Sequence, residues 1–188
     1  MGKVYRALDD RLRAFLAEQH VFFVASAPTG PGGHVNCSPK GLDTFRILGP
    51  TTVAYLDYVG SGVETIAHVR QNGRVLVMFC ALAGLPNIIR LHGRGVIIEP
   101  RDAEFPSLLA NFSPQLGVRA IVRVEVTRIS DSCGYGVPLH RYEGERPQLV
   151  AWAERKKPEG LETYQREKNA LSIDGLPGLR WTGKSEPE

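Results

Sequence analysis

The sequence contains few cysteines and no long hydrophobic stretch. Its three cysteines, Cys37, Cys80 and Cys133, are an odd number at wide separations, and they match neither a disulfide framework nor a paired zinc motif. We therefore expect reduced thiols and no metal site. No stretch approaches the roughly 20 apolar residues that a membrane-spanning helix needs. Charges also interrupt the N-terminal region where a signal peptide has an apolar run, so we expect a soluble, cytoplasmic protein.

The chain also lacks a strong excess of charge of either sign. Its 188 residues include 23 lysines and arginines and 20 aspartates and glutamates, which gives a formal charge of +3. The basic residues are spread along the chain, and this balance argues against a nucleic-acid partner. The hydrophobic content of 43% is enough to form a sizeable core, so we expect a single domain over residues 1–188.

Short apolar stretches rich in β-branched and aromatic residues dominate the first two thirds of the chain. The strands predicted from them are residues 20–27, 34–39, 45–48, 52–57, 74–80, 88–99 and 120–129. An amphipathic helix is predicted at residues 3–19, and one helical pattern, residues 62–71, interrupts the strands. A parallel sheet would need a crossover helix between most strands. The pattern therefore predicts an α+β fold, mainly antiparallel, that forms a β-barrel.

The character of the chain changes after residue 129. A glycine-rich loop, two stretches of helical composition and a turn-forming segment follow: residues 132–138, 146–157, 160–170 and 172–178. The polar tail from Thr182 is predicted to be frayed. Because no linker rich in proline or serine separates this part, we expect a C-terminal extension, about residues 131–181, packed on a helix and barrel of about residues 1–130.

A strand, a tight turn and a helix follow one another over residues 53–72. The first turn of a helix has unpaired N–H groups and a partial positive charge, and both favour a bound phosphate. Gly60 and Gly62 allow the main chain to approach a ligand closely, and the hydroxyls of Ser61 and Thr65 can donate hydrogen bonds. The segment therefore predicts a phosphate site.

Two alternatives to a phosphate site are open for this segment. In the first, Ser61 caps the helix and Glu64 completes a capping box, which needs no ligand; the local sequence supports this capping box about as well as it supports a phosphate site. In the second, the glycines belong to a dinucleotide-binding turn. The third glycine of that fingerprint is missing and no alternating strand and helix pattern follows, so we expect a ligand smaller than a dinucleotide.

Two further strands present polar residues on one face. Asn36, Ser38 and Lys40 alternate along an extended segment, so they can meet the edge of a ring and a phosphate together. Arg90 shares one face of a later strand with two other basic residues, and its guanidinium suits planar two-point contacts. In both cases the alternative is a solvent-facing strand.

The motifs of this chain occur in a distinctive order from about residue 20 to residue 177: FFVASA, HVNCSPKGLDTFR, VAYLDYVGSGVETIAHVRQNGRV, MFCA, RLHGRG, DSCGYGVP and EKNALSIDGLP. In this order they resemble the pyridoxamine 5'-phosphate oxidase-like FMN-binding split-barrel family, and most closely its uncharacterised bacterial branch. The resemblance implies a split β-barrel with flanking helices and FMN as the cofactor. It also implies a homodimer that binds FMN at the subunit interface, and a flavin-dependent oxidoreductase that acts on a small molecule.

The resemblance also carries roles to single residues. Lys40 stands at the position of the family's phosphate-binding strand lysine, and Leu56 and Asp57 stand where a strand end touches the flavin or its ribityl chain. The complete set of cofactor-binding residues that we predict is Asn36, Cys37, Ser38, Lys40, Leu56, Asp57, Ser61, Gly62, Thr65 and Arg90.

The chain departs from the oxidase itself at three places. Glu64 and Thr65 stand where the oxidase has an Arg-Lys pair, and Val35 replaces an arginine that opens its first flavin motif. The C-terminal signature that binds the vitamin phosphate is also not evident, since residues 178–181 read Gly-Leu-Arg-Trp. We therefore do not predict the vitamin B6 oxidase, and we expect the phosphate to be held by Lys40, hydroxyls and backbone N–H groups.

Other functions remain open at this point. The chain is alternatively a non-catalytic flavin-binding module, or a haem-binding or haem-degrading relative on the same fold, with His92 or His140 as the axial ligand. A hydrolase that uses Ser61 or Cys133 is disfavoured, because no GxSxG elbow is present. No residue is marked by the sequence as catalytic.

Overall fold

The computed structural model describes residues 2–113 and 116–183. The strands are β1 (Val4–Tyr5), β2 (Phe22–Ser26), β3 (Asn36–Lys40), β4 (Phe45–Ile47), β5 (Thr52–Tyr58), β6 (Arg74–Cys80), β7 (Ile88–Ile98) and β8 (Val118–Ser132). The helices are α1 (Asp10–Ala17), α2 (Glu64–Asn72), α3 (Phe105–Leu109) and α4 (Gln148–Lys168), and a short 3-10 helix follows at Arg180–Thr182.

The strands form one curled sheet in which neighbouring strands run antiparallel. The strand order is β3-β2-β6-β7-β8-β5-β4, and β1 pairs with the end of β8. The long strand β8 joins the two halves of the sheet, because it pairs with β7 on one side and β5 on the other. The predicted mainly antiparallel α+β barrel is confirmed.

The main hydrophobic core lies on the concave face of this sheet. Phe22 and Val24 of β2 are buried in alternation, as in a strand with one covered face. Leu12 and Leu16 of α1 pack into the same cluster. A second cluster around Leu56 lies under α3, a helix that the sequence pattern did not predict. The two clusters lie on opposite faces of β5 and β8, so this part of the sheet is packed on both sides.

Helix α1 begins later than predicted. Asp9 is its N-cap, and the Asp9 side chain accepts a hydrogen bond from the Leu12 N–H at 2.8 Å. Val4 and Tyr5 instead pair with Ser130 and Ile129 of β8. The prediction of a helix from residue 3 is wrong, because the free edge of β8 offers these residues backbone hydrogen bonds and Asp9 stops the helix.

The C-terminal part contains two helices that meet at a kink. Lys157 has a positive φ of 56° and Pro158 follows it, so the segment Gln148–Lys168 is two helices rather than one. This agrees with the two predicted helical stretches. Ala153 and Leu161 pack against Val59, which follows β5. The predicted frayed tail lies, from residue 184, outside the described residues.

The described residues contain neither a candidate membrane-spanning helix nor a candidate metal site. Across residues 2–113 and 116–183, no helix is both long enough and apolar enough to cross a bilayer. Over the same ranges, the histidine, cysteine, aspartate and glutamate side chains form no group of three or more that could hold a metal ion.

Candidate functional site

A polar groove of about 300 Å³ opens at the rim of the barrel, between β3, the end of β5 and the start of α2. The residues that line it are Asn36, Ser38, Lys40, Asp57, Tyr58, Gly60, Ser61, Gly62, Glu64, Thr65 and Arg119. The structure thus brings together most of the predicted cofactor-binding residues.

The position of β3 explains why its polar face meets the groove. Lys40 pairs with Phe22, and Ser38 pairs with Val24, so these side chains share the concave face with core residues of β2. Because β3 is an edge strand of the sheet, its side chains on this face lie at the margin of the hydrophobic core. The polar side chains therefore line the rim instead of the interior.

A buried carboxylate lies between two cations on this side of the groove. Lys40 Nζ donates to Asp57 Oδ1 at 2.7 Å, and Arg119 Nε donates to Asp57 Oδ2 at 2.8 Å. Burial by itself would raise the pKa of Asp57, but Arg119 and Lys40 together outweigh it and lower the pKa to about 2. Asp57 is therefore ionised at neutral pH and holds both cations in place.

Arg119 was missed by the sequence analysis, and the strand register shows why. Asp57 pairs with Ala120, but the next residue, Tyr58, pairs with Val118. Arg119 is therefore the extra residue of a β-bulge, and bulges commonly redirect a side chain. Arg119 is almost fully buried and points to Asp57. The sequence offers no signal for this placement, because the bulge arises from the pairing of segments about 60 residues apart.

Tyr58 is the second groove residue that the sequence analysis missed. Its hydroxyl is buried, and within the described part of the chain it has no hydrogen-bond partner. Burial and the nearby Asp43 raise the pKa of Tyr58 to about 12. Tyr58 is therefore a neutral O–H donor over the whole physiological pH range.

The opposite wall is formed by the loop after β5 and the first turn of α2. Val63 is the N-cap of α2, and no side chain caps the helix. The alternative in which Ser61 and Glu64 form a capping box is therefore wrong, because Ser61 lies two residues before the N-cap. Thr65 Oγ1 accepts a hydrogen bond from Asn36 Nδ2 at 2.9 Å, which ties this wall to β3. The first turn keeps backbone N–H groups that no side chain caps.

The charges of the groove cancel. Lys40 and Arg119 are positive, and Asp57 and Glu64 are negative. Glu64 lies at the edge, where its Oε1 accepts a hydrogen bond from the Ile173 N–H at 3.3 Å. The groove therefore offers an anion directed hydrogen bonds without a net positive charge.

A second hollow of about 310 Å³ continues from the groove. The residues that the two share are Asn36, Ser61, Gly62 and Glu64. The second hollow adds His34, Val35 and Ile173. Val35 and Ile173 are 75% and 70% exposed, so they form an uncovered apolar surface beside the polar groove. A polar groove next to an apolar surface suits a ligand with an anionic end and a planar ring.

His34 is held in place by the C-terminal turn. Asp174 accepts hydrogen bonds from the His34 backbone N–H at 2.9 Å and from His34 Nδ1 at 2.6 Å. These hydrogen bonds lower the pKa of Asp174. Behind the turn, His68 is fully buried with Nδ1 3.0 Å from Ser26 Oγ, and burial lowers its pKa. Ile173 of the same turn lines the second hollow, so the turn forms part of its wall.

Three of the predicted residues do not line the groove. Cys37 alternates with its neighbours on β3 and is exposed on the other face. The side chain of Leu56 is buried in the cluster under α3. Arg90, on β7, donates from Nη1 to Ser132 Oγ at 2.7 Å. Contacts between these three residues and a cofactor stay predictions.

Comparison with known proteins places the chain in a family. Residues 8–133 match the family described as pyridoxamine 5'-phosphate oxidase. A relative from Aspergillus flavus, described as Pyridoxamine 5'-phosphate oxidase family protein ustO, is 40% identical over 192 residues, which cover 93% of this chain and 77% of the relative. The chain belongs to the pyridoxamine 5'-phosphate oxidase family.

Solved structures support the architecture of the chain. HupZ of Group A Streptococcus superposes with a TM-score of 0.53 at 18% identity, covering 70% of this chain and 98% of HupZ. A protein of Lactobacillus delbrueckii described as a putative pyridoxamine 5'-phosphate oxidase superposes with a TM-score of 0.51 at 16% identity, covering 68% and 98%. At these identities the likeness concerns the fold, which is the predicted split barrel.

Proposed function

We propose that this protein binds FMN in the groove at the rim of its barrel and acts as a flavin-dependent oxidoreductase on a small molecule. The observation that carries the proposal is that Lys40, Arg119 and the uncapped first turn of α2 meet at one groove. They do so in a chain of the pyridoxamine 5'-phosphate oxidase family.

The groove residues fit the phosphate of FMN. Lys40 Nζ bonds to Asp57, yet 20% of the Lys40 side chain is exposed at the groove. Arg119 uses Nε for Asp57 and Nη1 for the Gly60 carbonyl, and a guanidinium has five N–H donors. Ser61 adds a hydroxyl beside the helix N-terminus, which favours an anion. Phosphate would therefore be held by several donors from three elements.

Two negative residues reduce the net positive charge that the groove offers to a phosphate. Asp57 neutralises part of the charge of Lys40 and Arg119, and Glu64 places a second carboxylate at the groove edge. The phosphate contacts therefore depend on hydrogen-bond geometry more than on net charge. This is consistent with the predicted loss of the oxidase's Arg-Lys pair at this place.

The rest of FMN would lie against an apolar surface beside the groove. Val35 and Ile173 supply an apolar wall next to the groove, and the Asn36 amide lies between the groove and that wall. When bound, a flavin supplies hydride or electron transfer, while the protein positions it and tunes its potential. In this proposal Asn36, Ser38 and Thr65 orient the ligand, and Asp57 keeps Lys40 and Arg119 in position.

We further propose a homodimer with FMN at the subunit interface. The groove is open to solvent in the single chain, as expected of a site that a second subunit completes. Leu85, Tyr135 and Leu139 are at least 76% exposed, and in this proposal the second subunit covers them. Sedimentation with and without FMN tests this part, and a monomer in both states would contradict it.

A non-catalytic flavin-binding module is the second candidate. The observation that favours it is that the described lining of the groove includes no histidine or cysteine. The histidine beside it, His34, is already bonded to Asp174. The haem alternative stays a prediction, and His92 and His140 line two different hollows.

The absorption spectrum of the purified protein tests the proposal. We expect flavin bands, or their appearance and fluorescence quenching when FMN is added to colourless protein. Reduction of the bound flavin by a nicotinamide or deazaflavin donor would support the oxidoreductase, whereas a yellow protein inert to such donors would support the module. A protein that stays colourless with added FMN would overturn both, and a Soret band with added haem would then support the haem alternative.

A further inference from the structure

The C-terminal part of the chain places a fully buried amide behind the groove. Asn169 follows α4 and is 0% exposed. Its Nδ2 donates to the carbonyl of Gly60 at 2.8 Å, across 109 residues of sequence. Gly60 belongs to the loop that lines the groove. Because the family match ends at residue 133, this contact comes from outside the matched region.

The backbone of Asn169 is held by hydrogen bonds on both sides. Its backbone N–H donates to the Gln165 carbonyl at 2.8 Å, and its carbonyl accepts from the Leu179 N–H at 2.9 Å. The neighbouring Gly178 lies so close that an added Cβ would be 2.2 Å from the Asn169 carbonyl oxygen. Asn169 therefore has a fixed position from which to hold the loop.

The direction of the Gly60 carbonyl decides where the next N–H points. This carbonyl accepts from Asn169 Nδ2 and, at 3.4 Å, from Arg119 Nη1. In a trans peptide the carbonyl and the following N–H point in opposite directions. Holding the Gly60 carbonyl therefore turns the Ser61 N–H away from Asn169. Ser61 lines both the groove and the adjoining hollow.

Asn169 also has a feature that does not serve the stability of the fold. Its Oδ1 is buried and has no hydrogen-bond partner among residues 2–113 and 116–183. An unsatisfied buried acceptor destabilises a protein, and an apolar side chain of similar size would avoid that penalty. The hydrogen bond that the Asn169 side chain makes is the one to the Gly60 carbonyl of the loop.

We propose that Asn169 is a positioning residue of the groove: it orients the Gly60–Ser61 peptide so that the Ser61 N–H is presented to the anionic group of the ligand. The inference rests on the proposed function in taking that group to be the phosphate of FMN. It gives the C-terminal extension a part in ligand binding as well as in packing.

The first test compares two variants of the same C-terminal segment. Asn169→Leu removes the donor at similar volume and leaves no unpaired Oδ1. We expect its thermal stability to stay near that of the wild type, while its affinity for FMN falls about tenfold. The matched control is Ser172→Ala, which removes the hydrogen bond from the Leu176 N–H at 3.1 Å without touching Gly60. The control should keep its FMN affinity; equal affinities of Asn169→Leu and wild type would overturn the proposal.

A second measurement does not depend on FMN. Inorganic phosphate is titrated into the wild-type protein while the backbone amide signals are followed by NMR. The Ser61 amide should be among those that shift most, and in Asn169→Leu its shift should be lost. If wild-type protein fails to bind FMN but phosphate shifts Ser61 in the wild type and not in Asn169→Leu, the proposed cofactor is wrong and the positioning role stands. An equal shift of Ser61 in both proteins would overturn the positioning role. No response of Ser61 to phosphate would overturn that role.

Discussion

The two walls of the groove differ in how their polar groups are satisfied. On the sheet wall, Lys40, Asp57 and Arg119 satisfy one another in buried salt bridges. On the loop wall, α2 begins without a side-chain cap, and its loop is held from behind by Asn169. The sheet wall is therefore expected to control stability and its pH dependence. The loop wall is expected to contribute to ligand binding with little effect on stability.

Breaking the sheet wall should give the largest effect. Asp57→Asn leaves Arg119 buried without a carboxylate, and removing one partner of a buried ion pair costs roughly 3–5 kcal/mol of unfolding free energy. Urea denaturation measures this loss. The matched control is Asp43→Asn, since Asp43 is 70% exposed and pairs with Arg46; it should lose less than about 1 kcal/mol. Similar losses in both variants would remove the distinction between buried and exposed pairs.

The variant Lys40→Ala tests whether the sheet wall also contributes to ligand binding, because Lys40 is the charged group of that wall that reaches the groove. Loss of a charge-assisted phosphate contact should weaken FMN binding by roughly 1.5–3 kcal/mol. Flavin fluorescence titration measures it. Lys3→Ala is the control, because Lys3 lies over the Tyr5 ring and outside the groove. Unchanged FMN affinity in Lys40→Ala would exclude Lys40 from the site.

Acid should remove the part of the unfolding free energy that ionised Asp57 in the sheet wall contributes. The pKa of Asp57 is about 2 in the folded protein, below its ordinary value of 3.8. A lowered carboxyl pKa stabilises the folded state above the ordinary value, and this contribution disappears as the pH falls from about 4 to about 2. Linkage gives a loss of about 2 kcal/mol. Unfolding free energies measured from pH 5 downward should fall less steeply in Asp57→Asn, and parallel curves would show that another group is responsible.

The smallest effect is expected on the loop wall. Ser61→Ala should weaken FMN binding by about 1 kcal/mol through the lost hydroxyl. It should leave the melting temperature unchanged, because Val63 is the N-cap of α2. Asp9→Ala provides the contrast, since Asp9 does cap α1 and its loss should cost about 1 kcal/mol of stability without affecting FMN. A destabilised Ser61→Ala with normal FMN affinity would show that Ser61 serves the fold.

The amino-acid sequence by itself determined the class of fold and much of one groove wall. Alternating apolar residues indicated the strands, and the scarcity of helices between them indicated antiparallel pairing. The same alternation placed Asn36, Ser38 and Lys40 on one face, which the structure confirms. These features were readable because each depends on residues that are close together in the chain.

Tertiary structure alone decided how the groove is completed. Arg119 reaches Asp57 because a bulge shifts the register between β5 and β8, and Asn169 reaches Gly60 from the end of α4. Local periodicity tells which face of an element a side chain occupies, but it carries no information about the register between distant segments. The partners of the groove's charges and carbonyls are set by that register.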